Sequence, residues 1–324
     1  MRALCRANVY VARKDNKMGK AIRVAYGEAL AKLGHTNDKI VVLDADLSGA
    51  TQTKYFKKEF PDRFYNVGIA EENLMGVASG FAYQGFIPFA STFAVFGTGR
   101  AFEIVRNQIA YVNLNVKLAL THSGISVGED GGSHQSIEDI ALMRSLPNMT
   151  IIVPCDPIET EKAVNAAAKY IGPVYLRLAR PAVDDITKHE DKFEIGKAQV
   201  LVNGNDACII ACGLMVSRAL EAAKELKSNG IDTAVVNMHT IKPIDREAIL
   251  KYNSKCKVIV TAEEHSVIGG LGSAVAEVIA GTNGSKFAMV GIEDKFGHSG
   301  SPDKLFEEYG LTKENIIKKV KDNL

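Results

Sequence analysis

Short apolar runs of strand length alternate with segments of helical period along almost the whole chain, and this alternation limits the possible fold more than any other feature. Strands are predicted over 39–43, 64–67, 86–90, 116–120, 149–153 and 174–178. Helices are predicted between them over 21–33, 71–83, 99–112 and 158–170, with a further helical pattern starting at Ser136. Leu74, Val77, Ala78 and Phe81 recur at helical spacing, as do Phe102, Val105, Ile109 and Val112. A second series follows, with strands over 207–212, 233–237, 258–262 and 287–290. Its helices are predicted over 216–229, 246–252, 273–280, 302–309 and 313–321. Strands alternating with helices imply a mostly parallel sheet with helices on both faces. The expected fold class is α/β, in two domains, each a mostly parallel sheet flanked by helices.

Between the two series, Asp184, Asp185, Lys188, His189, Glu190, Asp191 and Lys192 crowd together while periodicity fades, as in a connector. The expected division is an N-terminal extension 1–18, a first domain 19–182, a linker 183–196 and a second domain 197–324. At 324 residues the chain is long enough for two separate cores. The extension carries Arg2, Arg6, Arg13 and Lys14 but no apolar stretch of signal-peptide length. A transit peptide is the alternative for it, and Met18 is a second candidate start.

Charge excludes several partners. Lys plus Arg number 39 against 38 Asp plus Glu, a net charge of +1, so neither nucleic acid nor an anionic membrane surface is favoured. No apolar run reaches the length of a membrane span, and a cytoplasmic protein is expected. The five cysteines, Cys5, Cys155, Cys208, Cys212 and Cys256, form no CxxC pair. Cys208 and Cys212 share a strand face, but no His or Cys stands at metal-ligand spacing, so buried reduced thiols are expected and no metal site.

The chemistry-bearing residues collect just after predicted strands. Asp46 follows the first strand, Glu71 the second, 91–96 the third, and the loop 121–135 the strand 116–120. That loop holds His122 and His134, Glu129 and Asp130, and Gly124, Gly128, Gly131 and Gly132. Ligands of open α/β sheets bind outside the carboxyl ends of strands. Histidine beside carboxylate offers proton transfer near neutral pH, and the glycines suggest backbone approaching a ligand closely.

Three blocks carry a resemblance. Gly68-Ile69-Ala70-Glu71-Glu72-Asn73, Ser91-Thr92-Phe93-Ala94-Val95-Phe96, and Thr121-His122 with Val127-Gly128-Glu129-Asp130-Gly131-Gly132-Ser133-His134-Gln135 closely resemble the pyrimidine-binding half of transketolase. Thr261-Ala262-Glu263-Glu264-His265 and Gly269-Gly270-Leu271-Gly272 resemble that family's C-terminal domain. The resemblance covers nearly everything after Met18. The diphosphate-binding domain of full-length transketolases, with its Gly-Asp-Gly segment and downstream Asn ligand, has no counterpart here. The chain therefore resembles the C-terminal subunit of a split transketolase.

That resemblance implies a thiamine-diphosphate-dependent enzyme moving a two-carbon ketol unit from a ketose phosphate to an aldose phosphate, in carbohydrate metabolism of the pentose phosphate type. It implies a partner, an N-terminal diphosphate-binding subunit that would supply the Mg2+ ligands, and two copies of each subunit in a heterotetramer. By position in the motifs, Glu71 would hydrogen-bond the aminopyrimidine ring, Phe93 and Phe96 would flank it, and Asp46 would lie near the thiazolium side. His122, Asp130 and His134 would contact the sugar, with His122 and His134 as proton carriers, while Arg23 and Arg180 would grip a phosphate. Ser48 or Thr51 would assist. Some family members place a third aromatic where this chain has Gly99. Without the motifs, Glu71 reads as a first-turn acid favoured by the helix dipole, and the phenylalanines as core. The beta subunit of a 2-oxo-acid dehydrogenase shares the architecture and the glutamate, and a deoxyxylulose-phosphate-synthase-like enzyme shares much of the pocket. Decarboxylation needs no sugar-phosphate clamp, so Asp130, His134, Arg23 and Arg180 favour transketolase.

Overall fold

A computed structural model describes residues 19–324. The extension, Cys5 and the alternative start at Met18 lie outside the described residues. β1 (Lys20–Ala21) and β8 (Ala182–Val183) form a small antiparallel ribbon. The larger sheet is built from β2 (Ile40–Asp44), β3 (Phe64–Asn66), β4 (Ile87–Ser91), β5 (Lys117–Leu120), β6 (Thr150–Ile152), β7 (Val174–Arg177) and β12 (Thr240–Lys242). Its order is β12-β6-β7-β5-β4-β2-β3, parallel throughout except where β12 pairs antiparallel with β6. The second sheet, β14 (Lys286–Ile292), β13 (Val258–Ser266), β10 (Ala207–Ala211), β11 (Thr233–Asn237) and β9 (Gln199–Val202) in that order, is parallel but for its β9 edge. The α/β class expected from the alternation is the observed one.

Central strands covered on both faces read as unbroken apolar runs, and β2 shows why. Ile40 and Val42 join one buried cluster while Val41 and Leu43 join another, so the period of two is spent on two cores. Each cluster continues from the first sheet into the second. The halves therefore do not have the separate cores expected from length: β12, contributed by the second half, completes the first sheet, and buried side chains run across the junction.

One helix differs from expectation. Over 99–112 the chain forms a π-helical turn Phe96–Arg100, an α-helical turn Phe102–Ile104 and a second π-helical stretch Val105–Ala110. The wider turns shift the phase. Phe102, Val105 and Ile109 keep to the core, but Val112 is 41% exposed. The helix expected from Ser136 begins at Asp139.

The first sheet reverses its winding between β2 and β4: β3 lies to one side of β2, and β4 then β5 to the other. Such a switch opens a crevice at the carboxyl ends of the strands. Asp46, Glu71, Phe93 and His122 all stand on segments leaving those ends.

Candidate active site

Glu71 is the first residue of the helix Glu71–Tyr83, and only 2% exposed. Glu72 beside it is exposed in the same first turn, where either acid suits the helix dipole. The Glu71 carboxylate accepts a hydrogen bond at Oε2 from Arg100 Nη1, 2.7 Å away, and Oε1 accepts none from the described residues. Arg100 is half-exposed, with its guanidinium 4.9 Å from the Phe96 ring centre. The sequence reading missed Arg100. Its signal was the four-residue spacing from Phe96, which on a helical turn stacks one side chain over the other.

Four rings gather at the ends of β4 and β5. Phe93, 7% exposed, stacks on His122 with centroids 3.9 Å apart and lies 6.1 Å from Phe96. His134 meets Phe93 and Phe96 edge-on at 6.3 and 5.4 Å. A Cβ built at Gly99 would meet nothing within 4 Å, so no third ring closes that side. His122 sits at φ 58°, a left-handed conformation that costs a residue with a β-carbon about 1–2 kcal/mol. Strain of this kind clusters at functional sites.

Both histidines are tied at one nitrogen. His122 Nδ1 shares a hydrogen bond with the Thr121 hydroxyl at 2.8 Å, and His134 Nδ1 with the Ser133 hydroxyl at 2.9 Å. Neither Nε2 has a hydrogen-bond partner among the described residues. Burial first, and then the positive charges of Arg23, Arg180 and His134, push the His122 imidazole down to about 3. It is neutral at pH 7, and its Nε2 is left to hydrogen-bond a ligand hydroxyl.

Arg23 and Arg180 both act on His122, and they repel each other. Burial and the nearby Arg180 charge lower the Arg23 pKa. Arg23 Nη1 donates to the Ala50 carbonyl at 2.9 Å, while its buried Nε has no partner. Arg180 donates to the Val127 carbonyl and lies 3.5 Å from Glu129 Oε2. Two guanidinium groups with an unsatisfied buried N–H have the chemistry that suits an anion such as phosphate. Thr51 does not share that site: it is buried, its hydroxyl donating to Asp44 Oδ2 at 2.7 Å. Ser48 stays half-exposed.

Asp46 is exposed, also left-handed at φ 64°, and held by Asn66, whose Nδ2 donates to its Oδ1 at 2.8 Å. Asn66 Oδ1 in turn accepts from the Asp46 and Gly68 amides, tying the ends of β2 and β3. Asp130 is brought onto the same loop as the histidines but not into the ring cluster. It is exposed at the end of the 3-10 turn Ile125–Asp130, and its carboxyl makes no hydrogen bond or ion pair with the described residues.

The loop glycines do something the sequence did not reveal. Gly124, at φ 78°, lies against the Glu264 side chain, and a Cβ on Gly131 would sit 2.5 Å from Ser299 Oγ. Here these glycines admit the second half of the chain. Gln135 Nε2 donates to the His298 carbonyl at 2.9 Å, and the Ser126 amide to Glu264 Oε1 at 2.6 Å. Below the loop, Arg177 joins Asp139 Oδ2 at 2.6 Å and the carbonyls of Ser136 and Glu264 at 3.3 and 3.0 Å. Thus Glu264, together with His265, whose Nε2 accepts the Ile140 amide at 3.1 Å, ties the two halves together.

The transketolase pyrimidine-binding domain pattern matches residues 18–185, and the transketolase C-terminal domain pattern matches residues 196–316. The chain belongs to the transketolase family. A Methanocaldococcus jannaschii protein named for the C-terminal section of transketolase is 52% identical over 94% of this chain and 96% of its own length. The 6-deoxy-6-sulfo-D-fructose transketolase subunit of a Clostridium species is 42% identical over 92% of each chain. Among solved structures, a split-gene transketolase described as an inactive beta4 tetramer superposes with a TM-score of 0.89. It is 53% identical and covers 94% of this chain and 99% of that one. The split-transketolase resemblance read from the three blocks is thereby shown.

Outside this crevice, a cavity of about 260 Å3 lies in the second half, lined by Glu293, Lys295, Glu308, Asn315 and Lys319 among others. None of the predicted site residues borders it. Among the described residues no three His, Cys, Asp or Glu side chains converge as a metal site, and no helix is long and apolar enough to cross a membrane. Cys155, Cys208, Cys212 and Cys256 are buried thiols.

Proposed function

We propose that this chain is the pyrimidine-binding subunit of a thiamine-diphosphate-dependent transketolase, moving a two-carbon ketol unit from a ketose phosphate to an aldose phosphate. The observation that carries this reading is a carboxyl buried to 2% exposure at a helix start, at the same sheet end as the four-ring cluster. That pairing suits a planar, hydrogen-bonding heterocycle. Glu71 Oε1 accepts nothing from the described residues, and the half-buried Phe96 ring offers a stacking face.

When bound, thiamine diphosphate supplies the carbanion chemistry that cleaves a ketose beside its carbonyl. Glu71 would hydrogen-bond the ring nitrogen of the aminopyrimidine through Oε1, while Oε2 stays on the Arg100 guanidinium. Phe93 and Phe96 would keep water from the ring, and Asp46 would lie toward the thiazolium side. His122 and His134 exchange protons at Nε2 with sugar hydroxyls, Asp130 accepts from the donor hydroxyl next to the carbonyl, and Arg23 and Arg180 bind the phosphate. A hydroxyl-reading site rejects sugars that lack the hydroxyl, because its polar groups are then left unpaired.

A separate diphosphate-binding subunit would hold the diphosphate and supply the Mg2+ ligands, with two copies of each chain in the assembly. The domain division is 19–182 and 197–324 with a 183–196 linker, crossed by β12. Buried thiols fit a cytoplasmic setting. The family's sulfofructose member leaves the ketose itself open. The assay combines this chain with a diphosphate-binding transketolase subunit, thiamine diphosphate, Mg2+, xylulose 5-phosphate and ribose 5-phosphate. Sedoheptulose 7-phosphate is the expected product. Consumption of pyruvate in place of xylulose 5-phosphate would move the assignment to the keto-acid enzymes.

A further inference from the structure

We propose that Glu264 is a positioning residue for sugar binding: delivered from the second sheet, its carboxylate fixes the Ser126 amide and with it the 3-10 turn Ile125–Asp130 of the loop that leads to His134. The inference rests on reading 121–135 as the sugar-binding loop. Glu264 is 3% exposed and lies 138 residues along the chain from Ser126, yet its Oε1 accepts that amide at 2.6 Å. The loop's base is closed by the Gly124 amide on the Ser136 carbonyl at 2.8 Å. Arg177 Nη2 reaches both that carbonyl and the Glu264 carbonyl, so the loop base and the Glu264 backbone share one donor. From the far side the His298 carbonyl takes Gln135.

The neighbouring residue shows that this reach is specific. Successive strand side chains point to opposite faces, and Glu263 accepts the Leu271 and Gly272 amides at 2.6 and 2.7 Å, capping a helix of its own half. Two adjacent buried carboxylates thus serve different purposes, one inside the second half and one on the loop of the first. A buried carboxylate is costly unless hydrogen-bonded, and Glu264 directs its side chain at the loop alone. No residue of the second half needs to touch the sugar for that half to affect sugar affinity.

The test uses the assembled two-subunit enzyme with xylulose 5-phosphate as donor. Glu264→Ala is expected to raise KM for the donor about tenfold, the size of one lost charge-assisted hydrogen bond, with kcat within about threefold. Glu264→Gln, which keeps an acceptor oxygen, is expected to restore most of it. Glu263→Gln lowers thermal stability and leaves KM unchanged. In the isolated subunit, deuterium exchange of amides 122–135 accelerates in Glu264→Ala and not in Glu263→Gln. If Glu264→Ala does not fold, Gly124→Ala presses the same contact from the loop side and raises KM likewise. Unchanged KM and unchanged exchange in the folded variant overturn the proposal, as does an equal KM rise in Glu263→Gln. If His134→Ala leaves donor KM untouched, the sugar-loop reading fails instead, and the exchange data still decide whether Glu264 holds the loop.

Discussion

Replacing Arg177 by Met tests the junction between the halves. The guanidinium is 4% exposed and Asp139 fully buried. Their contact is forked, with Nε to Oδ2 at 2.6 Å and Nη2 to Oδ1 at 3.1 Å. Burial by itself raises the Asp139 carboxyl, but the charge and hydrogen bonds of Arg177 more than offset it and hold the carboxyl below the ordinary aspartate range. Methionine fills the space and leaves Asp139 with the Tyr175 hydroxyl at 2.5 Å and a neutral His265 nitrogen 4.0 Å away. Removing one partner of a buried ion pair costs about 3–5 kcal/mol. At about 2 °C per kcal/mol for a chain of this size, Tm falls by about 6–10 °C. The pH dependence gives an independent sign. Without Arg177, burial dominates and the Asp139 pKa rises above its unfolded value, so the protonated form is the stable one in the fold. The deficit of the variant should therefore shrink as pH is lowered from 8 toward 5. Adding Asp139→Leu should recover most of the loss. Calorimetric Tm values over that pH range check both. A loss under about 1 kcal/mol, or a deficit that widens on acidification, refutes the account of the junction.

Other consequences are nearer the chemistry. His239, stacked on Phe193, is pushed down to about 4 by burial. Its depressed pKa gives stability that is present above the unfolded value and lost as pH falls toward the folded one. Relative to His239→Gln, the wild type should lose up to about 1.4 kcal/mol per pH unit below about 6.5. Denaturant midpoints show it, and a pH-independent gap contradicts it. Arg23→Ala should raise KM for a phosphorylated aldose about tenfold or more while sparing an unphosphorylated acceptor such as glycolaldehyde. Equal losses on both acceptors would remove Arg23 from the phosphate site.

Much of the fold was legible because the central strands are buried on both faces and therefore stand out as apolar runs, as β2 and β5 do. What escaped notice was short or long-range. β12 has three residues and pairs across the junction, so neither its length nor its neighbours in sequence announce it. The π-helical turns over 96–110 keep a helix-like apolar pattern while shifting its phase, which is why Val112 was misplaced. In the crevice, motif blocks led to Glu71, Phe93, Phe96, His122 and His134, which the structure gathers at one sheet end. Arg100 and Glu264 were not found, since each acts through a partner fixed only by folding. The packing of the loop glycines was hidden for the same reason: the chain that approaches them comes from residues 264 and 299.

On the proposed function, Glu71 promotes loss of the thiazolium C2 proton when the cofactor is bound. Exchange of the thiazolium C2 proton for deuterium, followed by NMR in the assembled two-subunit enzyme, measures that step directly. Glu71→Ala should bind the cofactor, keep its fold and slow the exchange by about 10²-fold or more. An exchange rate equal to that of the wild type, in a folded variant with the cofactor bound, would contradict the account.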